Sequence, residues 1–457
     1  MFLATILLLP GCAVGPNYHR PAVNAPAAFR GDTRAVTNSF ADLPWWQVFH
    51  DDNLQALIRT ALTNNYDLRI AVTRVDQARA LAAEARSEYF PQADYAALAS
   101  RGRNAVNGSV TPSVKTQSTY ALDASASWEI DLWGRVRRLT ESARAQYYAS
   151  QEARRDVQVS LIAQVAQDYF QLLALDRELQ IARDTTNSFG DSFKIFDERL
   201  RGGIASKLET SSAEALMDSA AATIPELERQ IILQENQICV LLGRNPGPVP
   251  RPNASLDAQS PPEVPPGLPS TLLERRPDVR EAEQNLRSAN AQVGVAVANF
   301  FPQLSLTGLY GQVSPELSLL TAGSANAWSY AANLAGPLFH SGLVAEYHGV
   351  KALRQQYLLQ YQQAVLNAFQ EVSDALVSRE KYAAEHDAQS RAVDAYQEAV
   401  KISLDRYRLG SASYYEVLQE QQLLFPAENS LVQARLNQLL STVQLYSALG
   451  GGWTFGK

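Results

Sequence analysis

Two kinds of hydrophobic periodicity divide this chain. Between residues 120 and 132 apolar and polar side chains alternate, with Tyr120, Trp128 and Leu132 on one face and acids and serines on the other. Alternation with a period of two predicts β-strands that each carry one apolar face. Similar runs give predicted strands at about 92–101, 120–132, 303–312 and 327–339.

Helical periodicity dominates the rest of the chain, in stretches far longer than a compact domain needs. Residues 135–201 and residues 343–409 each contain no proline and one glycine. Each stretch would span roughly 100 Å as a single helix, at about 1.5 Å per residue. Apolar residues such as Leu161, Val165 and Tyr169 recur at spacings of three and four, which is typical of coiled-coil packing.

Both long helices end at a turn that contains glycine, and an amphipathic stretch follows each turn. Gly203 and Gly410 lie just past the predicted helix ends, where glycine is a common stop. The pattern therefore predicts two antiparallel helical hairpins with their tips at these turns. Pro225 and Pro426 lie inside the return helices, where proline predicts a kink.

The same order of elements occurs twice, which indicates a tandem duplication. The motif YFPQ at 89–92 matches FFPQ at 300–303, and Glu209 matches Glu416 beyond the two tips. The predicted segments are a leader (1–12), an extended strap (13–50), a first repeat (51–243), a proline-rich connector (244–270), a second repeat (271–450) and a tail (451–457).

Strands of about ten residues with an apolar outer face and a polar inner face fit an outer-membrane β-barrel. A sheet that covers a soluble core alternates in the same way, so alternation alone leaves both interpretations open. The number of strands favours an assembly, because four strands cannot close a barrel and lipid does not tolerate open sheet edges. Three copies would supply about twelve strands, which predicts a symmetric trimer.

Composition narrows the possible partners and chemistry. The net charge is −7 and charged residues make up 19% of the chain, so binding to nucleic acid is not expected. The five histidines are scattered, without zinc-like spacing, and no phosphate-binding loop or nucleophile motif is present. We therefore expect neither an enzyme nor a metal centre. Cys239 lies in an apolar helical run and is interpreted as a packed hydrophobic residue.

The start of the chain predicts a lipid anchor. An apolar run that ends in Leu-Pro-Gly and Cys12 is typical of a bacterial lipoprotein signal, which is cleaved before a cysteine that receives lipid. The run is short and no Lys or Arg precedes it, so a chance cysteine after an unrelated leader is the alternative. A covalent lipid on Cys12 is the only bound group that the sequence predicts.

Several motifs resemble the TolC-like outer-membrane efflux family, and the resemblance covers essentially the whole chain. These motifs are CAVGPNYHRP at 12–21, WWQVFHDDNLQALI at 45–58, RRPDVREAE at 275–283, FFPQLSLTG at 300–308 and ALGGGW at 448–453. The resemblance is strongest with the lipoprotein branch, which serves three-part pumps of the resistance-nodulation-division type.

This resemblance implies a mainly α-helical fold with a membrane β-barrel portion. Three chains would form a twelve-stranded barrel in the outer membrane of a Gram-negative bacterium and a long α-helical barrel in the periplasm. A periplasmic adaptor would join the helical end to an inner-membrane transporter. The passive channel would then export drugs, other toxic small molecules or metal ions.

The resemblance also implies two functional regions. Adaptor hairpins would dock at the tips, which comprise Arg201, Gly202, Gly203, Ile204, Ala205, Ser206, Arg408, Leu409, Gly410, Ser411, Ala412 and Ser413. Helix turns near the C-terminal tip would narrow the resting channel, at positions that match Tyr415, Gln419 and Gln422, with Glu416 nearby. Family members often carry a carboxylate where Gln419 stands, so this chain departs from the usual charge. Ordinary polar residues on a helix surface are the alternative for each position.

Two other functions remain open from the sequence. Type I protein secretion uses channels of the same family, and the lipoprotein-like start favours small-molecule efflux only by analogy. A periplasmic coiled-coil scaffold would use the long hairpins, but it would need neither the alternating strands nor a lipid signal at Cys12.

Overall fold

A computed structural model of the protein describes residues 13–26, 28–30, 48, 50–102, 116–204, 206–259 and 269–451. Its helices are α1 (Asp52–Asn64), α2 (Tyr66–Ser87), α3 (Arg135–Arg201), α4 (Lys207–Leu241), α5 (Pro269–Arg275), α6 (Pro277–Ala298), α7 (Ser341–Arg408) and α8 (Tyr414–Ala448). Its strands are β1 (Gln92–Gly102), β2 (Gln117–Ile130), β3 (Gln303–Ser314) and β4 (Asn326–Ala335).

The long helices α3 and α7 contain 67 and 68 residues, and each is continuous, as the sequence predicts. The apolar stripe of α3 is buried at Val165, Tyr169 and Leu172, because coiled-coil spacing places these side chains on one face. Within the described residues, no helix is both long enough and apolar enough to cross a membrane.

Asp51 ties the start of α1 to the middle of α3. One carboxylate oxygen accepts hydrogen bonds from the amides of Asn53 (2.8 Å) and Leu54 (3.1 Å), which caps the helix. The other oxygen accepts from the hydroxyl of Tyr169 at 2.8 Å. Burial and this carboxylate raise the pKa of the Tyr169 hydroxyl. A single side chain therefore starts one helix and satisfies a buried polar group on another.

The strands form one antiparallel sheet in the order β1-β2-β3-β4. The register pairs Tyr95 with Ala124, Ala124 with Tyr310 and Tyr310 with Trp328, so these residues form one row across the sheet. The aromatic members of this row are largely exposed, with Tyr95 86% exposed. The apolar face predicted from the sequence therefore has no covering layer within the described chain, and β1 and β4 are edge strands.

The bounds of β2 and β4 differ most from the sequence prediction. β2 begins at Gln117 and ends at Ile130, which shifts it towards the N-terminus. β4 ends at Ala335, before Gly336 and Pro337, and not at residue 339. Proline lacks the amide that a further ladder hydrogen bond requires.

The chain forms two compact units. The first comprises Met1–Ala22, Arg74–Gln151 and Glu281–Gln362, and it contains the sheet; the second comprises Val23–Thr73, Glu152–Arg280 and Gln363–Lys457. Each unit takes segments from both sequence repeats. The pairing of β2 with β3 shows the reason, because it joins a strand of the first repeat to a strand of the second.

The start of the strap is fixed within the first unit. The amide of Val14 donates to the carbonyl of Trp133 at 2.9 Å, and Arg138 donates to the side chain of Asn17 at 2.7 Å. Gly15 has a φ of +89°, and a Cβ there would lie 2.5 Å from the Cα of Gly294. Glycine is therefore required at this close approach. Trp45 and Trp46, near the end of the predicted strap, lie outside the described residues.

The connector is attached to the second unit by Arg251. Its guanidinium forms two hydrogen bonds to Asp176 (2.5 and 2.8 Å) and one to Glu235 (2.6 Å), and these carboxylates raise its pKa against the effect of burial. Val249 and Leu256 are buried on either side. The sequence predicts a proline-rich connector here but gives no sign of these contacts.

Candidate functional site at the hairpin tips

The two hairpin tips are built by the same turn. α3 ends where the amide of Gly203 donates to the carbonyl of Leu200 (3.0 Å), and α7 ends where Gly410 donates to Tyr407 (2.9 Å). Both glycines have a positive φ, of +72° and +73°. Any other residue would strain the backbone in this conformation, so glycine allows the chain to reverse here.

The return helix α4 begins with a reciprocal cap. The amide of Ser206 donates to the carboxylate of Glu209 (2.7 Å), and the amide of Glu209 donates to the Ser206 hydroxyl (3.3 Å). The bonds from Ser206 lower the pKa of Glu209. Ser413 stands at the same position before α8, but in the described structure its side chain makes no capping bond. The two tips thus share a turn, but of the two return helices only α4 has a side-chain cap at its N-terminus in the described structure.

Large apolar side chains are exposed at both tips. Ile204 is 72% exposed, Leu208 77% and Leu409 84%. An exposed apolar surface at the end of a rigid helical hairpin is suited to burial against another protein. The other tip residues predicted from the sequence are exposed or half-buried where the structure describes them: Arg201, Gly202, Gly203, Ser206, Arg408, Gly410, Ser411, Ala412 and Ser413. Ala205 lies outside the described residues.

An aromatic cluster behind the tips joins the two hairpins. The ring of Tyr414 lies edge-on to Phe196 (4.9 Å between centres) and to Tyr407 (4.7 Å). Edge-to-face pairs of this kind add to the stabilisation from burial. The buried members of the cluster are Phe189, Phe196, Ala213, Ala220, Tyr414, Val417 and Leu418. The tip helices α3, α4 and α8 therefore share one small core.

A buried polar network also connects α3 with α8. The hydroxyls of Tyr414 and Ser192 are 2.6 Å apart, and the amide of Gln421 donates to the Ser188 hydroxyl at 2.8 Å. Burial raises the pKa of the Tyr414 hydroxyl. Sequence reasoning did not identify these residues, because nothing in the pattern indicates which serine of α3 faces which residue of α8.

Two further contacts link neighbouring helices at the tip. Arg199 on α3 donates to the hydroxyl of Tyr407 on α7 at 2.6 Å. Arg406 on α7 forms an ion pair with Glu416 on α8 at 3.1 Å, and both side chains are about half exposed. Glu416 was expected to place negative charge near the aperture. In this structure that charge is partly balanced by Arg406.

The predicted aperture residues share one exposed face of α8. Tyr415, Gln419 and Gln422 are spaced by four and three residues, which places them on one side of a helix. All three are exposed, with Tyr415 71% exposed. Val417 lies on the opposite side of the helix and Leu418 at the edge of this face, and both are buried in the aromatic cluster. This face is therefore available to another chain or to a channel, and its role as an aperture remains a prediction.

The predicted lipidation site, Cys12, lies outside the described residues. Among those that are described, no group of three or more His, Cys, Asp or Glu side chains is arranged to hold a metal ion.

Comparison with known proteins gives consistent matches along the whole chain. The model of the family described as "Outer membrane efflux protein" matches residues 57–244 and 268–451. The toluene efflux pump outer membrane protein TtgC of Pseudomonas putida is 37% identical over 459 residues, covering 98% of this chain and 94% of the relative. The cation efflux system protein CusC of Escherichia coli O6:H1 is 32% identical over 452 residues, covering 98% and 97%.

The fold is shared with a solved outer-membrane channel. The structure of the channel OprN superposes with a TM-score of 0.89 at 31% identity, covering 97% of this chain and all of that one. The predicted fold class is confirmed: a mostly helical protomer whose four-stranded antiparallel sheet closes into a β-barrel only in the trimer.

Proposed function

This chain belongs to the outer membrane efflux protein family and is an outer-membrane efflux channel, and we propose that it is the passive exit duct of a three-part pump for small molecules. One structural combination supports the proposal. A sheet with an uncovered apolar face and two open edges occurs in the same chain as two helical hairpins with exposed apolar tips.

The polar face of the sheet supplies the wall of the duct. The register places Asp94 beside Ser125, and Ser305 beside both Glu129 and Asn333, on the face opposite the aromatic row. Membrane barrels alternate apolar residues towards lipid with polar residues towards the lumen. In the trimer this face would line a water-filled lumen. We propose that transport through it requires no catalytic residue, because the energy comes from a partner pump.

The tips are the proposed contact with a periplasmic adaptor, which would connect the channel to an inner-membrane transporter of the resistance-nodulation-division type. Ile204, Leu208 and Leu409 offer apolar surface, and Arg201 and Arg408 lie beside them with exposed guanidiniums. Exposed Arg and apolar side chains together are typical of protein interfaces. The shared aromatic cluster would hold both tips in a fixed relation for docking.

This channel is compatible with toluene export and with cation export, which are the roles named for the two relatives. We propose a cargo of small molecules without assigning a single compound. Gln419 is uncharged, so the proposed aperture would not by itself select cations. An uncharged aperture suits a duct whose cargo is selected by the pump upstream.

We expect that two charged tip substitutions, Ile204→Asp and Leu409→Asp together, abolish efflux while leaving the channel assembled. Burying a carboxylate in an apolar contact is costly, so adaptor binding should be lost. The measurement is drug or solvent tolerance of a Gram-negative strain without its own efflux channels, which expresses this protein with a matching adaptor and transporter.

The matched control keeps the apolar character at the same positions, as Ile204→Val and Leu409→Met, and should retain tolerance. Trimer formation of both variants is checked by mass in detergent. Full efflux through an assembled aspartate variant would refute docking at the tips. Failure of the wild-type channel to confer any tolerance would count against the proposed pump role itself.

We also propose that Cys12 carries a covalent lipid. The contacts of Val14 and Asn17 hold the strap at the junction of β2 and α3, which places the chain start at one end of the sheet. Acyl chains attached there would anchor the mature N-terminus in the adjacent leaflet.

We expect the variant Cys12→Ser to incorporate no radiolabelled palmitate and to lack the lipid mass by intact mass spectrometry. Cys239→Ser is the matched control, because that cysteine is buried and should not be acylated. A wild-type protein without lipid, or lipid retained in the Cys12 variant, would contradict the assignment.

A further inference from the structure

A cavity of about 560 Å³ lies in the first unit, next to the membrane sheet. It is bordered by the strap, the segment just after α2, the first turns of α3 and one face of α6. Three tyrosines and three arginines line it: Tyr18, Tyr89, Tyr148, Arg137, Arg144 and Arg287. The proposed duct uses none of these side chains.

Two of the charged groups at the cavity are already neutralised. Arg137 forms an ion pair with Asp131 at 3.1 Å. Glu141, which also lines the cavity, pairs with Arg138 at 2.7 Å. These two ion pairs therefore present little net charge to a ligand in the cavity.

Arg144 and Arg287 keep their positive charge. Within the part of the chain that the structure describes, neither guanidinium forms an ion pair with a carboxylate. Arg144 donates to the Tyr148 hydroxyl (2.9 Å), and its guanidinium lies 5.5 Å from the centre of the same ring. Arg287 lies 4.9 Å from the centre of the Tyr18 ring. Aromatic faces hold a guanidinium in place while its remaining N–H groups stay available for an anion.

The cavity lies beside the apolar face of the sheet. The indole N–H of Trp128 donates to the carbonyl of Tyr89 at 3.0 Å, and Tyr89 lines the cavity. Trp128 belongs to the apolar face of β2, and Tyr89 stands three residues before the start of β1 at Gln92. Trp and Tyr at the ends of membrane strands mark the level of the lipid headgroups. The cavity is therefore at the depth where phosphate groups occur.

We propose that this cavity binds the phosphate group of a phospholipid, with Arg144 and Arg287 as the two cationic contacts. Guanidiniums bind phosphate oxygens through charge-assisted, often bidentate, hydrogen bonds. The adjoining apolar face of the sheet would accept the acyl chains of the same lipid. The inference depends on the outer-membrane location of the sheet, and it is independent of the cargo and of the adaptor.

The test uses the full-length protein in detergent and native mass spectrometry with added phosphatidylglycerol. We expect the wild-type protein to retain bound lipid and the double variant Arg144→Gln, Arg287→Gln to bind it about tenfold more weakly, since two charge-assisted contacts are lost. The matched control is Arg79→Gln. Arg79 lies 5.7 Å from the Tyr147 ring, in a similar arrangement but outside the cavity, and its loss should leave lipid binding unchanged.

The glutamine variant could lose lipid binding because it lacks the two positive charges or because it misfolds. A variant that keeps the charges, Arg144→Lys with Arg287→Lys, should recover part of the lipid binding in the first case only. Inorganic phosphate in excess should not displace the lipid from the wild-type protein. Displacement by inorganic phosphate would assign the cavity to a free anion and overturn the lipid proposal. Equal lipid binding by the wild-type protein and the glutamine variant would overturn the site.

Discussion

Replacing Tyr415 and Gln419 by alanine is expected to raise the single-channel conductance of the purified trimer several-fold. Both side chains are exposed on one face of α8 near its N-terminal end, and three copies would bring three such faces together. If these faces form the proposed aperture, removing an aromatic ring and an amide from each copy would widen the narrowest part of the pore. Conductance in a planar bilayer, with the oligomeric mass in detergent, measures the effect.

Gln433→Ala is the matched control, because Gln433 is an exposed glutamine on the same helix, roughly 20 Å further along it. Its conductance should equal that of the wild-type channel. A wild-type channel that is already fully open, with no change in the Tyr415 and Gln419 variant, would refute an aperture at these residues. A protein that stays monomeric and never inserts would count against the assembled channel.

A second substitution at the same place tests the effect of the carboxylate that family members often carry where this chain has Gln419. Gln419→Glu would restore one carboxylate per chain and therefore a ring of three in the trimer. Rings of acidic side chains favour cations in a pore. We expect a shift of the reversal potential towards cation selectivity in a salt gradient. No shift would indicate that residue 419 does not face the permeation path.

The largest loss of stability is expected from Arg276→Met. Arg276 is 8% exposed, and its guanidinium binds both oxygens of Asp278 (2.6 and 2.9 Å), Glu371 (2.5 Å) and the carbonyl of Ala448 (3.1 Å). Burial opposes the charged form, but Asp278 and Glu371 raise the pKa of Arg276 above its ordinary value.

Removal of this guanidinium would leave the carboxylates around it facing one another. Asp156 lies in the same region, where burial and the charge of Asp278 already raise its pKa. Breaking a fully buried ion pair from one side costs about 3 kcal/mol, because the remaining charge has no partner. The side chains of Asp278 and Glu371 are 32% and 53% exposed, so water would solvate them in part and the loss should be smaller than this figure. We therefore expect a clear decrease in the thermal midpoint of unfolding at neutral pH.

The pH dependence separates charge from packing in this variant. Without Arg276 the carboxylates raise one another's pKa in the folded state, so the folded protein binds more protons than the unfolded chain. Stability should then increase as the pH falls from neutrality towards the ordinary carboxyl range. This gain should exceed the one that the wild-type protein shows through Asp156, whose pKa is already raised there. An equal deficit at every pH would indicate lost packing alone.

Arg229→Met is the control for Arg276. Arg229 forms an ion pair with Glu226 one turn earlier on α4, and both side chains are at least half exposed. Exposed pairs of this kind contribute little to stability. The thermal midpoint of this variant should therefore match that of the wild-type protein at each pH.

Much of the architecture follows from the sequence, because the signals are local and repeated. Alternation around Trp128 and Trp328 depends only on the two-residue period of a strand. The uninterrupted helices α3 and α7 follow from long runs without proline, and their ends follow from glycines that adopt a positive φ. Duplication strengthens each prediction, since two independent stretches give the same answer.

The tertiary structure decided which distant residues meet. No sequence pattern pairs residues on separate segments, as in the contacts of Asp51 with Tyr169, Arg251 with Asp176 and Tyr414 with Ser192. Their hydrogen bonds depend on the rotation and offset of long helices against one another. A small change in either would exchange these partners without any change in the local pattern.

The same distinction holds for the functional regions. The positions of the tips follow from the sequence, because the glycine turns fix them locally. Tyr415, Gln419 and Gln422 were singled out by the family resemblance, and helix spacing places the three on one face of α8. The pairing of Glu416 with Arg406 and the cavity around Arg144 and Arg287 could not be predicted from the sequence. Arg406 and Glu416 lie only ten residues apart, and their pairing depends on how the turn orients α7 against α8. The cavity requires segments far apart in the chain to approach one another, which only packing determines.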